Sequence, residues 1–161
     1  MRNLVKGSLF TAATVGAVVL GMTASAIAQG AKDPNQTAVD ARQSVFKVLS
    51  FELAPLSGML RNQVPFDAAT AKTNAENIAA LARIIPATFA KDTHSAGVKS
   101  QALDTIWTSM DAFNTKAKDL ETAAEGLAKA ADGGNEGQIK QAIGAIGKAC
   151  GSCHDQFRAK S

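Results

Sequence analysis

The chain has very little of what metal and redox sites are usually built from. It carries two cysteines and two histidines in 161 residues. Structural zinc takes about four ligands, and beyond one C-terminal cluster only His94 is of a usual nitrogen or sulfur type. No strand–helix–strand pattern is visible, which argues against a thioredoxin-like dithiol. Long apolar runs are scarce too. Leu9 to Met22 is small and apolar, but too short and too poorly flanked for a stable membrane span. With Arg2 and Lys6 before it and Ala26-Ile27-Ala28 after it, this stretch reads as a cleaved export signal over residues 1–28. A retained N-terminal anchor is the competing reading.

Excess charge of either sign is missing as well. The full chain has 17 Lys+Arg and 14 Asp+Glu. Setting aside Arg2 and Lys6 leaves 15 against 14, a net of +1. A nearly neutral domain gives no electrostatic case for nucleic acid or an anionic membrane surface. The roughly 133 residues that remain, 29–161, suffice for one domain with one core.

What the sequence does have is long alanine-rich stretches between clusters of glycine and proline, a pattern that favours helix. The first opens at Asp33-Pro34, a capping residue followed by proline at the first helical position. Its stripe runs Val39, Arg42, Phe46, Leu49, Leu53, Leu56, Leu60, with Arg42 as the one polar member, expected to point partly inward. Pro55 should kink this helix rather than end it. Asp67 caps a second helix bearing Ala71, Ala75, Ile78, Leu81 and Ile85, expected to stop at Pro86. From there to about Ser100 no period is visible, so a surface connection is expected.

The third stripe is the most regular: Leu103, Ile106, Met110, Phe113, Ala117, Leu120, Ala124, Leu127 predict one unbroken helix. Asp132-Gly133-Gly134-Asn135 turns the chain, and Asn135 with Gln138 opens a fourth helix. The fourth stripe is Ile139, Ile143, Ile146, Cys150, Cys153, Phe157. The expected fold is all-α, an antiparallel four-helix bundle.

The fourth stripe carries the chemistry. Cys150-Gly151-Ser152-Cys153-His154 has the Cys-x-x-Cys-His spacing of c-type haem attachment. There two thiols add across the haem vinyl groups and the histidine becomes an axial iron ligand. On a helix, three residues bring both sulfurs onto one face, and the next residue aims an imidazole at the iron. A redox dithiol, half a zinc site and a plain disulfide are the competing readings. Both cysteines fall on the core-facing line, so one covalent haem c would be clasped near the end of helix four and exposed at one edge. An export signal suits this, because c-type haem is attached outside the bacterial cytoplasm. The periplasm is the expected location.

An exported, all-helical chain with this motif at its extreme C-terminus resembles the cytochromes c′, the four-helix class II c-type cytochromes. The matching positions are Ala41-Arg42-Gln43-Ser44-Val45-Phe46, Val64-Pro65-Phe66-Asp67-Ala68, Ile106-Trp107 and Cys153-His154-Asp155-Gln156-Phe157-Arg158. The resemblance implies that His154 is the proximal iron ligand, that Arg42 approaches a haem propionate, and that Arg158 stands on the proximal side. A solvated rim charge is the plainer reading of Arg42, and a frayed terminal cation that of Arg158. The position of Phe46 sits over the distal face of the iron in this family. Methionine there gives six-coordinate, low-spin electron carriers; phenylalanine cannot ligate, so a five-coordinate iron is implied. Ordinary core packing would explain the stripe position of Phe46 equally well. Met59, Met110, His94, Asp40 and Glu52 are the other candidate sixth ligands.

Function then divides three ways. The leading expectation is a gas-binding haem protein for nitric oxide and carbon monoxide, because an apolar distal pocket offers bound dioxygen no hydrogen bond. The alternative is a low-spin electron-transfer cytochrome serving a periplasmic redox partner. An enzyme is not expected, since neither a distal acid–base pair nor a second metal site is evident. The resemblance further allows a homodimer through helices one and two, for which Val45, Val48 and Phe51 offer an apolar face; a widened core face is the competing reading of the same residues.

Overall fold

A computed structural model describes residues 32–160; the export signal expected at 1–28 lies outside the described residues. Helix starts follow from side-chain caps, each satisfying an amide that the helix itself leaves free. Asp33 accepts from the N–H of Asn35 and opens α1 (Pro34–Leu60) with Pro34 in the first turn. Asp67 accepts from Thr70 N–H and opens α2 (Ala68–Thr88). A one-turn helix α3 (Thr105–Thr108) precedes α4 (Met110–Asp132). Asn135 accepts from Gln138 N–H at the start of α5 (Glu136–Phe157). At the other end of α1, Asn62 adopts the left-handed conformation (φ 56°). Its N–H donates to Met59 O, and Gln63 N–H to Gly58 O, closing a Schellman turn that Lys140 of α5 anchors through Asn62 Oδ1 at 2.6 Å.

Three expectations change. Helix α2 does not stop at Pro86 but runs on to Thr88. A proline this near the end forfeits little of the ladder, and the last turn is held from outside it: Thr88 Oγ1 donates to Ile85 O and Arg42 to Thr88 O. The third helix is broken at Ser109 (φ −139°, ψ 46°), just after Thr108, whose Oγ1 donates to Thr105 O. Ile106 and Phe113, on either side of the break, are both buried, so the stripe survives the interruption. In α1 the inward position past Pro55 is Met59 rather than Leu60, which is 41% exposed. Helix α1 does not end at Pro55, as expected.

The long helices pack as an antiparallel bundle. Lys72 meets Asp132 while Arg83 meets Glu121 and Glu125, so α2 and α4 run in opposite directions. Asn74 Nδ2 donates to Glu52 O, and Arg42 donates to Thr88 O, which sets α1 against α2 the same way. Small side chains (Ala71, Ala75, Ala79, Ala82, Ala117, Ala124) fill the buried seams and let backbones approach closely. No helix among the described residues is long and apolar enough to cross a membrane.

One ion cluster staples the α2–α4 seam. Glu121, its side chain only 11% exposed, accepts from Arg83 Nε at 2.7 Å and from Lys118 Nζ at 2.6 Å. Hydrogen bonds from Lys118 and then Arg83 hold its carboxyl below the usual range. A lowered folded pKa stabilises above the unfolded value, about 4.3, and that gain is lost as pH falls through the folded one. Glu121→Gln is therefore expected to lower the urea midpoint at pH 7, with a smaller gap from wild type at pH 3. An equal gap at both pH values would refute the ionic role.

Candidate cofactor site

Between the helices lies a cavity of about 630 Å³, inside the range of cofactor and ligand sites. Its buried wall is apolar and drawn from every long helix: Phe46 and Leu53 from α1, Ile78 and Ile85 from α2, Phe113 and Leu120 from α4, Ile146 from α5. Cys150, Cys153 and His154 line the same cavity from the last turns of α5. Ile139, Ile143 and Ile146 are wholly buried, and the same face brings both thiols to the cavity half-buried.

Electrostatics at this end favour neutral groups. Burial pushes the Cys150 thiol above its ordinary range. Cys153 is raised by burial and then by Cys150, against the opposing charge of Lys116. His154 is pushed below the ordinary histidine range by burial and then by Arg158, with Asp155 working the other way. A neutral imidazole is the form that ligates a metal. The residues present therefore fit a covalently held haem: two thiols one helical turn apart, a neutral imidazole beside them, and an apolar cavity of suitable size.

The C-terminal turn is held from outside α5. Leu103 N–H donates to Phe157 O at 3.0 Å, and Ala159 N–H to Gln101 O at 2.8 Å, forming a short antiparallel bridge. Thr105 Oγ1 donates to Gln156 O. Arg158 is extended, exposed and lines the cavity; its backbone is paired rather than frayed.

Phe46 lines the cavity half-buried, its ring set edge-on to Phe89 with centroids 6.3 Å apart. None of Met59, Met110, His94, Asp40 and Glu52 belongs to the lining. Met59 is core, and His94 pairs with Asp92 at 2.7 Å on the surface. Gln43, Lys47 and Ser50 make a polar rim along the exposed flank of α1, where the Ser50 hydroxyl is already given to Phe46 O. No aspartate or glutamate among the described residues lines the cavity.

Arg42 is not a rim charge. It is 3% exposed, and three of its five N–H bonds go to Thr88 O, Thr93 Oγ1 and Lys91 O. Two N–H bonds remain, and the residue also lines the cavity. Phe89 was not singled out by the sequence. It lies in the aperiodic stretch after α2, yet is 4% exposed and touches Phe46, Trp107 and Phe113. Its only local signal is an aromatic just after a proline-bearing helix end.

Fold and site together define a helical-bundle protein built around an apolar cofactor cavity, with thiol and imidazole donors on the last helix. The family model described as Cytochrome C' matches residues 37–158, and the chain belongs to that family. It is 35% identical over 124 residues to the cytochrome c' of Cereibacter sphaeroides, covering 76% of this chain and 83% of the relative. The solved cytochrome c' structure from Rhodobacter spheriodes superposes with a TM-score of 0.73 at 33% identity, over 80% of this chain and 100% of that one. A nitric oxide complex of a mutant cytochrome c prime from Alcaligenes xylosoxidans gives 0.67 at 28% identity, over 78% and 97%.

Proposed function

We propose that this chain is a periplasmic c-type cytochrome, not an enzyme, whose iron keeps an open sixth position for nitric oxide and carbon monoxide. The observation that carries the reading is the cavity wall. Phe46, which has no donor atom, lines the cavity that His154 enters, and neither methionine of the helices packed around it does. Bound haem supplies an iron centre able to take a diatomic gas or exchange an electron. The chain would do the rest: Cys150 and Cys153 would hold the group, His154 would ligate its iron, and Phe46 would crowd the space left for a ligand. Arg42 offers its two free N–H bonds to a propionate, and Arg158 stands on the proximal side, its charge helping keep His154 neutral. The relative solved as a nitric oxide complex supports the choice of ligand.

The visible spectrum of the ferrous protein, with and without nitric oxide, tests this. High-spin ferrous bands that change on adding the gas are expected. Low-spin spectra in both oxidation states would instead establish the electron-transfer alternative, whose redox partner would meet the cavity at its exposed Lys47 and Gln101 rim.

The same reading includes a homodimer through α1 and α2. Phe51 is 74% exposed and Val48 45% exposed on α1, with Val45 half-buried beside them. A phenylalanine this bare is costly in water, of the order of 1.5–3 kcal/mol relative to burial. Phe51→Asp should shift sedimentation at micromolar concentration from dimer to monomer without altering the haem spectrum. A monomeric wild type would remove the dimer.

A further inference from the structure

We propose that Arg42 is a positioning residue for the distal wall: through the Thr88–Thr93 segment it holds Phe89, and through Phe89 it fixes how tightly Phe46 closes the cavity. The proposal rests on Phe46 flanking the open side of the iron.

The argument starts from what the segment lacks. Beyond Thr88 it has no regular structure, and the bonds made by its own backbone are short-range: Phe89 N–H to Pro86 O, Ala90 N–H to Ala87 O and Ala96 N–H to Thr93 O. Yet Phe89 and Thr93 are each only 4% exposed. Buried polar groups need partners, and Arg42 supplies them. Nε donates to Thr88 O at 2.8 Å, Nη1 to Thr93 Oγ1 at 2.6 Å, and Nη2 to Lys91 O. The cation is thereby placed at the C-terminal end of α2, where the helix dipole favours it. Its planar face also lies 4.7 Å from the Phe89 ring centroid and 5.2 Å from that of Trp107. Trp107 completes the hold by donating Nε1–H to Phe89 O at 3.0 Å.

Phe89 is where these restraints meet the cavity. Its ring touches Phe46 edge-on and lies 4.6 Å from Phe113, both of them lining residues. A shift of the segment therefore moves the backing of Phe46. Lysine cannot replace the fork. One ammonium does not reach three separate acceptors while stacking on two rings, although it still pairs with an anion.

That difference separates positioning from simple propionate binding. The test uses the haem-loaded full chain with Arg42→Lys, Thr93→Val, Phe46→Ala and the Arg42→Lys/Phe46→Ala double variant. Thr93 does not line the cavity, so Thr93→Val removes one acceptor and nothing else at the site. Carbon monoxide association is followed by flash photolysis, and amide exchange of Phe89 and Ala90 by hydrogen–deuterium exchange. Arg42→Lys should speed association on the order of tenfold and Thr93→Val by less, with faster exchange in both. In the Phe46→Ala background Arg42→Lys should add nothing, because the two act in series. Wild-type kinetics and exchange in Arg42→Lys, or a fully additive double variant, would overturn the proposal. If Arg42→Lys fails to load haem, Thr93→Val decides alone, and wild-type behaviour there overturns it. If the wild type binds no carbon monoxide, the gas reading falls by itself. Faster exchange in the two variants then still supports the Arg42 clamp, and unchanged exchange removes it.

Discussion

A chain with both Cys150 and Cys153 replaced by alanine, purified free of haem, is expected to keep most of its helix and lose its fixed packing. The substitutions themselves remove only two half-buried sulfur atoms, so the effect reports on the lost group. All the long helices contribute side chains to the 630 Å³ cavity. Enclosed apolar void costs about 24 cal/mol per Å³, so even the sheltered part of this cavity, kept empty and dry, would take a large share of what holds the domain together. The whole stability of a domain is about 5–15 kcal/mol. The walls must therefore either close inward or admit water against Ile78, Phe113 and Ile146. Both routes dissolve the side-chain order around the site. The α2–α4 seam lies partly outside this zone, with the Arg83–Glu121 cluster and the Lys72–Asp132 pair intact, so residual helix pairing is expected. Trp107 is the only tryptophan and sits against Phe89, which makes near-UV circular dichroism a direct readout. Far-UV ellipticity should stay high while the near-UV bands flatten. A native near-UV spectrum with cooperative unfolding at the holoprotein's midpoint would contradict the prediction.

Much of this architecture was legible because it is local. The caps at Asp33, Asp67 and Asn135 and the inward line from Ile139 to Phe157 depend on spacing along one helix, which a sequence displays directly. What was not legible depends on partners far along the chain. Phe89 and Thr93 look like loop residues until Arg42, about fifty residues earlier, reaches them. The break at Ser109 is hidden by a stripe that keeps its phase on both sides. The bridge between Gln101–Leu103 and the tail after α5 has no period at all, since it pairs only a few residues. The thiol and imidazole residues proposed to hold the haem were the most legible part of the site, because they sit in five consecutive residues. Arg42 was identified as an inward residue, but its three acceptors came from a segment with no readable pattern.

Phe46→Ala is expected to speed carbon monoxide association by roughly ten- to a hundredfold. An obstructing side chain in a tight site costs about 1–3 kcal/mol to displace, and each 1.36 kcal/mol of barrier is a factor of ten in rate. The ring is half-buried and edge-on to Phe89, so truncation opens the wall without emptying the core. Dissociation should change less, since no donor atom of Phe46 holds the ligand. Two controls separate this from a loss of stability. Truncating a fully buried phenylalanine costs about 3–5 kcal/mol, and a residue already facing a cavity should cost less. If Phe46 were only core, Phe46→Ala would lower the thermal midpoint and leave ligand entry unchanged, which would remove it from the distal face. Phe46→Met supplies the second control. A thioether at this position can ligate iron, so the ferrous spectrum should turn low-spin and carbon monoxide should bind more slowly. A high-spin Phe46→Met protein with wild-type association would place the side chain away from the iron. The paired variants move ligand entry in opposite directions from one position, which a residue remote from the iron has no means of doing.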